Sequence, residues 1–363
     1  MEILQEQTFK DNKIKNLAVI EKYQAFNKKK AIALKECGEW LYFNLKKHRL
    51  TQEQKLKLER MNTCKDRFCP FCNWRRQLKY SKLIYEFLND LNAKRPLRFI
   101  FLTLTIKSCK LTELRETIKH LSKSFHNLTK TKRFTNSILG FLRVLEFTKK
   151  PKTDLMHPHY HVLLAVNPSY FSHSLDKYIN QAEWRKMWQN SLKCDYEPQV
   201  NIKIIKPKNK LIAEQVTKEN PIKTQSSTTT TPLPQENTPI NDAFLAVISE
   251  LCKYPMKDTD LSEFGDITQN NAKNKQKTKP PKYYASFQEL TKQLKGVRSI
   301  NAGGILKGIL KGISKTDDDL IHINEDEEEL LWEVLEKICY RFNFSKKNYF
   351  KSDLSPCVFY GLP

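Results

Sequence analysis

The sequence predicts an α+β fold in which an antiparallel sheet carries helices on one face. Four runs rich in Phe, Ile, Val and Thr have the pattern of strands, and two amphipathic segments between them have helical spacing. They follow one another in the order β-α-β-β-α-β, which is the split β-α-β pattern of an antiparallel sheet. We also expect an N-terminal helical region with a cysteine cluster and a C-terminal extension.

Each element is predicted from its own pattern. The run RFIFLTLTI is dense in β-formers, ILGFLRVLEFT is apolar on both faces and thus central in its sheet, and QVNIKIIK alternates cleanly. The predicted strands span 98–106, 138–148, 159–166 and 199–206, and the predicted helices span 111–131, 172–193 and 241–254.

Composition divides the chain into three predicted regions. Residues 1–95 have helical spacing of Leu, Ile and Phe and contain a cysteine knuckle, 96–260 form the sheet domain, and 261–363 form a C-terminal region. Residues 207–239 are rich in Thr, Pro, Lys, Asn and Gln and cannot bury enough apolar area to order themselves, so they are predicted to be a flexible insert.

The charge of the chain predicts a polyanionic partner. Sixty-three Lys and Arg residues against forty Asp and Glu give +23, and ten of the acids lie in 317–336, so the remainder carries +33. Nucleic acid is the first candidate for this partner. The alternative is that the positive charge forms a surface like that of a ribosomal protein or only keeps the chain soluble. The acidic stretch itself contains LLWEVLEKI, which has helical spacing; a helix, a DNA mimic and a helicase contact are all open there.

Several classes of protein are excluded. No run of about 18 apolar residues could span a membrane, and the N-terminus lacks the apolar core of a signal peptide. Nine cysteines is an odd count, and three of them crowd together, which favours metal binding over disulfides. We therefore expect a reduced, cytoplasmic protein with no membrane partner.

The strongest chemical motif is the pair His159 and His161, which opens the third predicted strand. Residues two apart on a strand share a face, so both imidazoles can hold one divalent ion; the alternative is a pair of surface or packed histidines. Glu146 on the preceding strand can lie opposite if the two strands form a hairpin, and a carboxylate there is costly unless paired. These ligands suit Mn²⁺ better than Mg²⁺, and either could serve once a phosphate supplies oxygens. His157 shares the face but ranks below the pair.

A second motif reads E-x3-Y-x2-K at the end of the helix predicted after the insert. Glu250 and Tyr254 are four apart, with Lys257 three further on. A tyrosine near a lysine and a metal can become a phenolate that attacks a phosphodiester. Pro255 disfavours helical geometry at the tyrosine and ends or kinks the helix. The alternative is an ordinary surface tyrosine.

A third motif is a cysteine knuckle. Cys64, Cys69 and Cys72 have the spacing of a structural Zn²⁺ site, which requires four tetrahedral ligands, and Cys37 is the best fourth candidate. The alternative is packed free thiols. The residues expected to contact DNA phosphates are the basic ones beside these motifs: Arg75, Arg76, Lys79 and Lys253.

These motifs together resemble a known family. CKDRFCPFCNWRR, FLTLT, HPHYHVLL, DYEPQVNIKIIK, ELCKYPMKDTDL and LTKQLKGVRSINAGGIL run in its order from about residue 37 to 306. The chain resembles plasmid rolling-circle replication initiators, the single-tyrosine type of the HUH endonuclease superfamily. The resemblance implies a ferredoxin- or RRM-like sheet and a metal-dependent nicking–closing endonuclease.

By position, the resemblance assigns roles to the candidate residues. Tyr254 would attack the scissile phosphate and stay linked to the 5′ end, which frees a 3′-hydroxyl for synthesis. His159 and His161 would hold the metal ion, Mg²⁺ or Mn²⁺, and Glu250 would activate water at termination. The implied partners are plasmid origin DNA, single-stranded or extruded as a cruciform, with a host helicase and DNA polymerase in the bacterial cytoplasm.

Three rival functions remain open. A HUH transposase or a conjugative relaxase would share the chemistry, although relaxases commonly place the tyrosine near the N-terminus. A zinc-bearing DNA-binding regulator that never cleaves would need the basic surface and the cysteines but not His159, His161 and Tyr254. One departure from the family is the length of the insert 207–239, which is greater than usual.

Overall fold

The computed structural model describes residues 3–4, 7–150, 153, 155–172, 177–205, 242–252, 282–316, 319–321 and 331–352. The helices are α1 (Gln7–Gln24), α2 (Lys28–Glu36), α3 (Pro70–Lys94), α4 (Leu114–Thr129), α5 (Lys132–Ser137), α6 (Gln181–Leu192), α7 (Asp242–Leu251), α8 (Lys282–Gln293) and α9 (Ile309–Thr316). The strands are β1 (Trp40–His48), β2 (Gln54–Met61), β3 (Arg98–Thr105), β4 (Cys109–Lys110), β5 (Gly140–Lys149), β6 (Leu155–Val166), β7 (Val200–Ile205), β8 (Ile300–Gly304), β9 (Trp332–Asn343) and β10 (Asn348–Lys351).

The four predicted strands are adjacent in a six-stranded antiparallel sheet. Its order is β7-β3-β6-β5-β8, and the short β4 pairs with β6. If β3, β5, β6 and β7 are numbered 1 to 4 along the chain, they lie in the sheet in the order 4-1-3-2. Helix α4 connects strands 1 and 2, and α6 connects strands 3 and 4. The predicted α+β class with an antiparallel sheet is therefore confirmed.

Both faces of this sheet are covered, which corrects the expectation of helices on one face. On the first face, α4 and α6 bury large side chains against alternate residues of the strands, including Phe125, Trp184 and Trp188 against Leu102 and Leu164. On the second face, α3, α7 and α9 pack over Leu142, Val144, Leu163 and Ala165. Apolar residues on both faces of β5 and β6 require this second layer, because a solvated face would expose them.

The Gly-rich segment after α8 is an edge strand. β8 pairs with β5, so β5 is an interior strand, as its apolar pattern predicted. Gly304 has φ +60° and an added Cβ would lie 2.2 Å from the carbonyl oxygen of Leu139. Only glycine can therefore end this strand so close to the start of β5.

A second sheet joins the two ends of the chain, which corrects the purely helical N-terminal region. Its order is β10-β9-β1-β2, so N-terminal β1 lies between β2 and C-terminal β9. Buried Leu41 and Phe43 alternate on β1 with the half-buried Trp40 and Tyr42, and because these aromatic neighbours are not polar, the strand lacks a clear apolar–polar alternation in sequence. The predicted boundaries at 95 and 260 stay a prediction, but the first and last regions share this sheet.

Residues 332–338 of the segment LLWEVLEKI lie in strand β9 and not in a helix, which was one of the alternatives left open there. Ile338, Tyr340 and Phe342 alternate on β9 and are buried beneath the sheet. Pairing with β1 satisfies the backbone of β9 and buries its apolar side, and this tertiary contact outweighs the local propensity.

Helix α3 packs against two hydrophobic cores, the one at the second sheet and the one on the second face of the six-stranded sheet. Its first turn packs with the second sheet through Phe71 and Cys72, and its later turns pack on the six-stranded sheet through Ile84 and Leu88. Within the described ranges, every helix is too short or too polar to cross a membrane. The predicted insert 207–239 lies outside the described residues.

Candidate metal centre and cysteine cluster

Glu146, His159 and His161 converge on the second face of the six-stranded sheet. Nε2 of His161 lies 2.9 Å from Oε2 of Glu146, and Nε2 of His159 lies 3.7 Å from the same oxygen. The three potential ligand atoms all lie within 4.8 Å of one another. The hairpin thus brings the carboxylate to the histidine pair, as expected, whereas the metal-ligand role of the three residues stays a prediction.

The register of β5 and β6 produces this convergence. Glu146 pairs with His159, and Val144 pairs with His161, so all four residues lie on one side of the hairpin. Side chains alternate along a strand, so a slip of one residue would move the carboxylate to the opposite face. Buried Leu142 and Leu163, which pair two residues further on, hold the register in place.

The other ring nitrogens fix how the imidazoles point. Nδ1 of His159 lies 3.2 Å from the backbone oxygen of His157, and because that oxygen can only accept, Nδ1 donates to it. Nδ1 of His161 lies 3.2 Å from Oγ1 of Thr103 on the neighbouring β3. Such contacts orient an imidazole toward a metal ion, and they direct both Nε2 atoms at Glu146.

The carboxylate is held in its charged form. Burial alone would raise the pKa of Glu146, but hydrogen bonds and positive charge from His159 and His161 outweigh burial and lower that pKa well below its usual range. Two imidazole nitrogens and a carboxylate oxygen suit Mn²⁺ and related divalent ions and leave further coordination positions for substrate or water. The residues therefore fit the expected ion.

A cavity of about 230 Å³ opens beside the cluster. Its lining residues are Thr103, Thr105, His157, His159, Gln199 and Asn201. The rings of His157 and His159 stack at 5.5 Å, and burial followed by the charge of His159 lowers the pKa of His157. His157 lies outside the group of three potential ligands, in keeping with its lower predicted rank.

Sequence reasoning did not connect Gln199, Asn201 and Phe101 to this site. Asn201 on β7 pairs with Thr103, which brings it beside the histidines, and Phe101 stacks on His161 at 5.3 Å. The clean alternation of QVNIKIIK could have identified the polar face of β7. It could not show that β7 lies next to β3, because the two strands are separated by about a hundred residues of chain.

Helix α7 packs on the same face of the sheet as the metal-ligand candidates. Val247, Ile248 and Leu251 are buried against the sheet core that includes Val144. Glu250 lies on the half-buried flank of this helix. The described stretch that contains α7 ends at Cys252, so Lys253, Tyr254 and Lys257 lie outside the described residues.

Four cysteines form a compact cluster at the start of α3. The sulfur of Cys37 lies 3.6 Å from that of Cys69 and 3.3 Å from that of Cys72, and Cys64 lies 3.7 Å from Cys72. A zinc ion bound tetrahedrally at its usual Zn–S distance of roughly 2.3 Å would separate the sulfurs by a little under 4 Å. The cluster therefore fits a tetrahedral ion, and the structure brings Cys37 to the three local cysteines.

Local backbone geometry brings Cys37 to the knuckle. Gly38 has φ +61° and sits against the ring of Phe71, where an added Cβ would lie 2.8 Å from the ring. Buried Lys13 on α1 donates 2.6 Å hydrogen bonds to the carbonyls of Lys35 and Cys37. Hydrogen bonds from the other three thiols hold the pKa of Cys72 well below its usual range, which favours a thiolate ligand.

The basic residues after the knuckle have internal partners. Arg75 is buried and donates to the backbone oxygens of Leu320 and Ile321, so it anchors the C-terminal segment instead of lying on the surface. Arg76 donates to the knuckle backbone at Lys65. Lys79 pairs with Asp319 at 3.3 Å. DNA contacts by Arg76 and Lys79 stay a prediction, and the burial of Arg75 gives it a structural role.

The chain is similar to known replication proteins over most of its length. The replication protein family matches residues 55–350. Protein rep of Bacillus amyloliquefaciens is 34% identical over 336 residues, which cover 88% of this chain and 87% of that protein. Protein rep of Lentilactobacillus hilgardii is 31% identical over 347 residues, 95% of each. No solved structure matches this chain. The match begins in β2, includes Glu146, His159, His161 and the three cysteines of the knuckle, and extends to the C-terminal strands, so the chain belongs to the replication protein family and its resemblance to plasmid replication initiators is confirmed.

Proposed function

We propose that this replication initiator nicks one strand of plasmid origin DNA by attack of Tyr254 on a phosphodiester beside a divalent ion. The observation that carries the proposal is the convergence of Glu146, His159 and His161 on the sheet face that α7 covers. Tyr254 lies two positions after Cys252, where the described stretch 242–252 ends. The HUH endonuclease mechanism implied by the resemblance is consistent with this arrangement.

The reaction exchanges one phosphoester for another. A bond forms between the phenolate oxygen of Tyr254 and phosphorus, while the bond from phosphorus to the 3′-oxygen breaks and that oxygen takes a proton. The 5′ end stays linked to the tyrosine, and the free 3′-hydroxyl can prime synthesis. Reversal by another 3′-hydroxyl rejoins a strand without any oxidant or high-energy cofactor.

The residues of this chain have separate tasks in that reaction. Glu146, His159 and His161 hold the ion, Mg²⁺ or Mn²⁺, which when bound polarises the phosphate and stabilises charge in the transition state. Lys257 lowers the cost of forming the phenolate. Glu250 accepts a proton from the water that releases the covalent link at termination.

Zn²⁺ at Cys37, Cys64, Cys69 and Cys72 has a structural role in this proposal. Four protein ligands leave no open position for substrate, so the site braces the start of α3. Plasmid origin DNA, single-stranded or in a cruciform, is the proposed substrate, and a host helicase and DNA polymerase would extend the freed end in the bacterial cytoplasm.

A labelled origin oligonucleotide tests the proposal. We expect the wild-type chain with Mn²⁺ to form a covalent adduct that peptide mapping assigns to Tyr254. Tyr254→Phe should abolish the adduct and retain DNA binding, because only the nucleophilic oxygen is lost. Tyr178→Phe, which changes a tyrosine that is 41% exposed elsewhere, is the matched control.

A second pair of variants tests the metal. His159→Ala should abolish nicking and weaken Mn²⁺ binding measured by calorimetry, while His126→Ala on α4 should change neither. An adduct that survives Tyr254→Phe would show that the nucleophile is another residue. A wild-type chain that binds origin DNA but forms neither nick nor adduct would favour a non-cleaving regulator.

A further inference from the structure

We propose that the outer face of the four-stranded sheet is a second nucleic-acid site that binds single-stranded DNA without sequence preference. The outer face is the side of β10-β9-β1-β2 opposite to the buried core. It belongs to a different sheet from the metal-ligand cluster, so binding there is independent of nicking by Tyr254.

Strand registers define which side chains form this face. Leu41, Phe43, Ile338 and Phe342 point into the core, so their neighbours along each strand point outward. The residues that alternate with them and face the other way are Trp40 and Tyr42 on β1; Lys55, Lys57 and Arg60 on β2; Trp332, Lys337 and Arg341 on β9; and Asn348 and Phe350 on β10, while Asn44, Lys46 and Cys339 on the same side are buried.

Aromatic rings lie across this face beside cations. The rings of Trp40 and Tyr42 are parallel within 5° at a centroid distance of 6.4 Å, and both are half-buried. The guanidinium of Arg341 lies 4.7 Å from the Trp40 ring, and Nζ of Lys55 lies 3.7 Å from the Trp332 ring. Ring faces and cations at the surface of a sheet are the groups on which unpaired bases and their phosphates bind.

The charge of the face is complementary to a phosphate backbone. Its basic side chains outnumber its acidic ones, and the acids at its border already have internal partners. Glu59 accepts a hydrogen bond from Asn44 at 3.0 Å, and Glu39 pairs with Arg341 at 3.0 Å. The side chain of Arg341 is still 53% exposed, so it can also meet a phosphate.

Single-stranded DNA fits this face better than a duplex does. A duplex hides the faces of its bases, so the parallel rings of Trp40 and Tyr42 would have nothing to stack on. An apolar protein partner would leave the basic side chains desolvated and unpaired. A single strand would use both kinds of side chain, because its bases can stack on the aromatic rings and its phosphates can pair with the basic groups.

The test measures binding of the full chain to a fluorescent thymidine oligonucleotide that lacks the origin sequence. Trp40→Leu with Tyr42→Leu keeps apolar volume but removes both ring faces, and we expect affinity to fall by about tenfold or more. Tyr178→Leu is the matched aromatic control and should leave affinity unchanged. Unaltered thermal unfolding and unaltered nicking of origin DNA would show that the double variant is folded.

A charge variant provides a second measurement if the aromatic variant fails to fold. Arg60→Gln with Lys337→Gln removes two exposed cations, and we expect the slope of log affinity against log salt to fall by about 1.4, since each lost phosphate contact contributes about 0.7. Lys123→Gln with Lys186→Gln, exposed on α4 and α6, is the matched control.

Three results would overturn the proposal. Affinity for the oligonucleotide that is equal in wild type and both outer-face variants would exclude this face as a site. An equal loss in the control variants would indicate only a general charge effect. Stronger binding of duplex DNA or of RNA than of single-stranded DNA would assign the face to a different partner.

Discussion

Single residues decide the chemistry of both ligand clusters. Glu146 is a carboxylate on an otherwise apolar strand, and it is tolerated there because His159 and His161 both direct Nε2 at one of its oxygens. Cys37 lies 27 positions before Cys64, the first cysteine of the knuckle, yet its sulfur lies within 4 Å of two others. Sequence spacing identified the pair of histidines and three of the cysteines and named Glu146 and Cys37 as further candidates, and folding brings these two residues beside the others.

Cys37→Ser is expected to lower both the zinc content and the stability of the chain. A serine hydroxyl is a poor zinc ligand, so three thiolates would hold the ion less tightly, and binding free energy of a structural zinc is folding free energy. Elemental analysis should show less than one zinc per chain, and thermal unfolding should occur at a lower temperature. A chelator should reproduce the loss in the wild-type chain.

The control for this variant is Cys252→Ser, because Cys252 is a buried cysteine outside the cluster. It should keep its zinc even if some stability is lost. Full zinc content in Cys37→Ser would contradict the four-cysteine assignment and would leave Cys37 as a packed thiol.

At the scale of elements, helix α7 links the sheet to the proposed nucleophile. Its apolar stripe is buried on the face that bears the metal-ligand candidates, and the E-x3-Y-x2-K motif begins on its half-buried flank. The helix predicted over 241–254 is described from Asp242 to Leu251, so the apolar spacing located it well. Its docking surface could not be predicted, since β5, β6 and α3 lie far away in sequence.

Ile248→Ala is expected to slow nicking more than it weakens Mn²⁺ binding. Ile248 is fully buried, and its truncation should cost about 2–5 kcal/mol by leaving a cavity between α7 and the sheet. The metal-ligand candidates lie on β5 and β6, so calorimetric Mn²⁺ affinity should stay close to that of the wild type.

Leu128→Ala on α4 is the matched control, since Leu128 is equally buried but packs on the opposite face of the sheet. It should lose similar stability and keep the nicking rate. Equal loss of nicking in both variants would mean that general destabilisation, and not the position of α7, controls the rate.

For the whole molecule, the two ends of the chain fold together. β9 pairs with β1 from Trp40 to His48, and the hydroxyl of Tyr349 donates to the carbonyl of Gly38 next to the cysteine cluster. The N-terminal helices, the knuckle and the C-terminal strands share one buried core. Residues at both ends of the chain therefore stabilise the same cysteine site.

Ending the chain after residue 316 is expected to destabilise the N-terminal half. Loss of β9 and β10 would expose Leu41, Phe43 and the start of α3 to water, which removes much of the hydrophobic stabilisation of that core. We expect the unfolding temperature to fall by at least about 10 °C and zinc content to decrease.

Deletion of 207–239 is the control for this truncation. The composition of that segment predicts a flexible insert, so its removal should change the unfolding temperature little. An unchanged zinc content and unfolding temperature after loss of the C-terminal strands would indicate that residues 1–95 fold independently.

Sequence patterns alone predicted the α+β class, the order of β3, β5, β6 and β7 along the chain, the histidine pair and the cysteine knuckle. These features depend on alternation and spacing within short segments, and neighbouring residues along the chain dictate such patterns. The covered second face, the pairing of β1 with β9 and the internal partners of Arg75 are visible only in the folded chain. Those features depend on which distant segments bury each other's apolar surface, and local patterns contain no record of the partner.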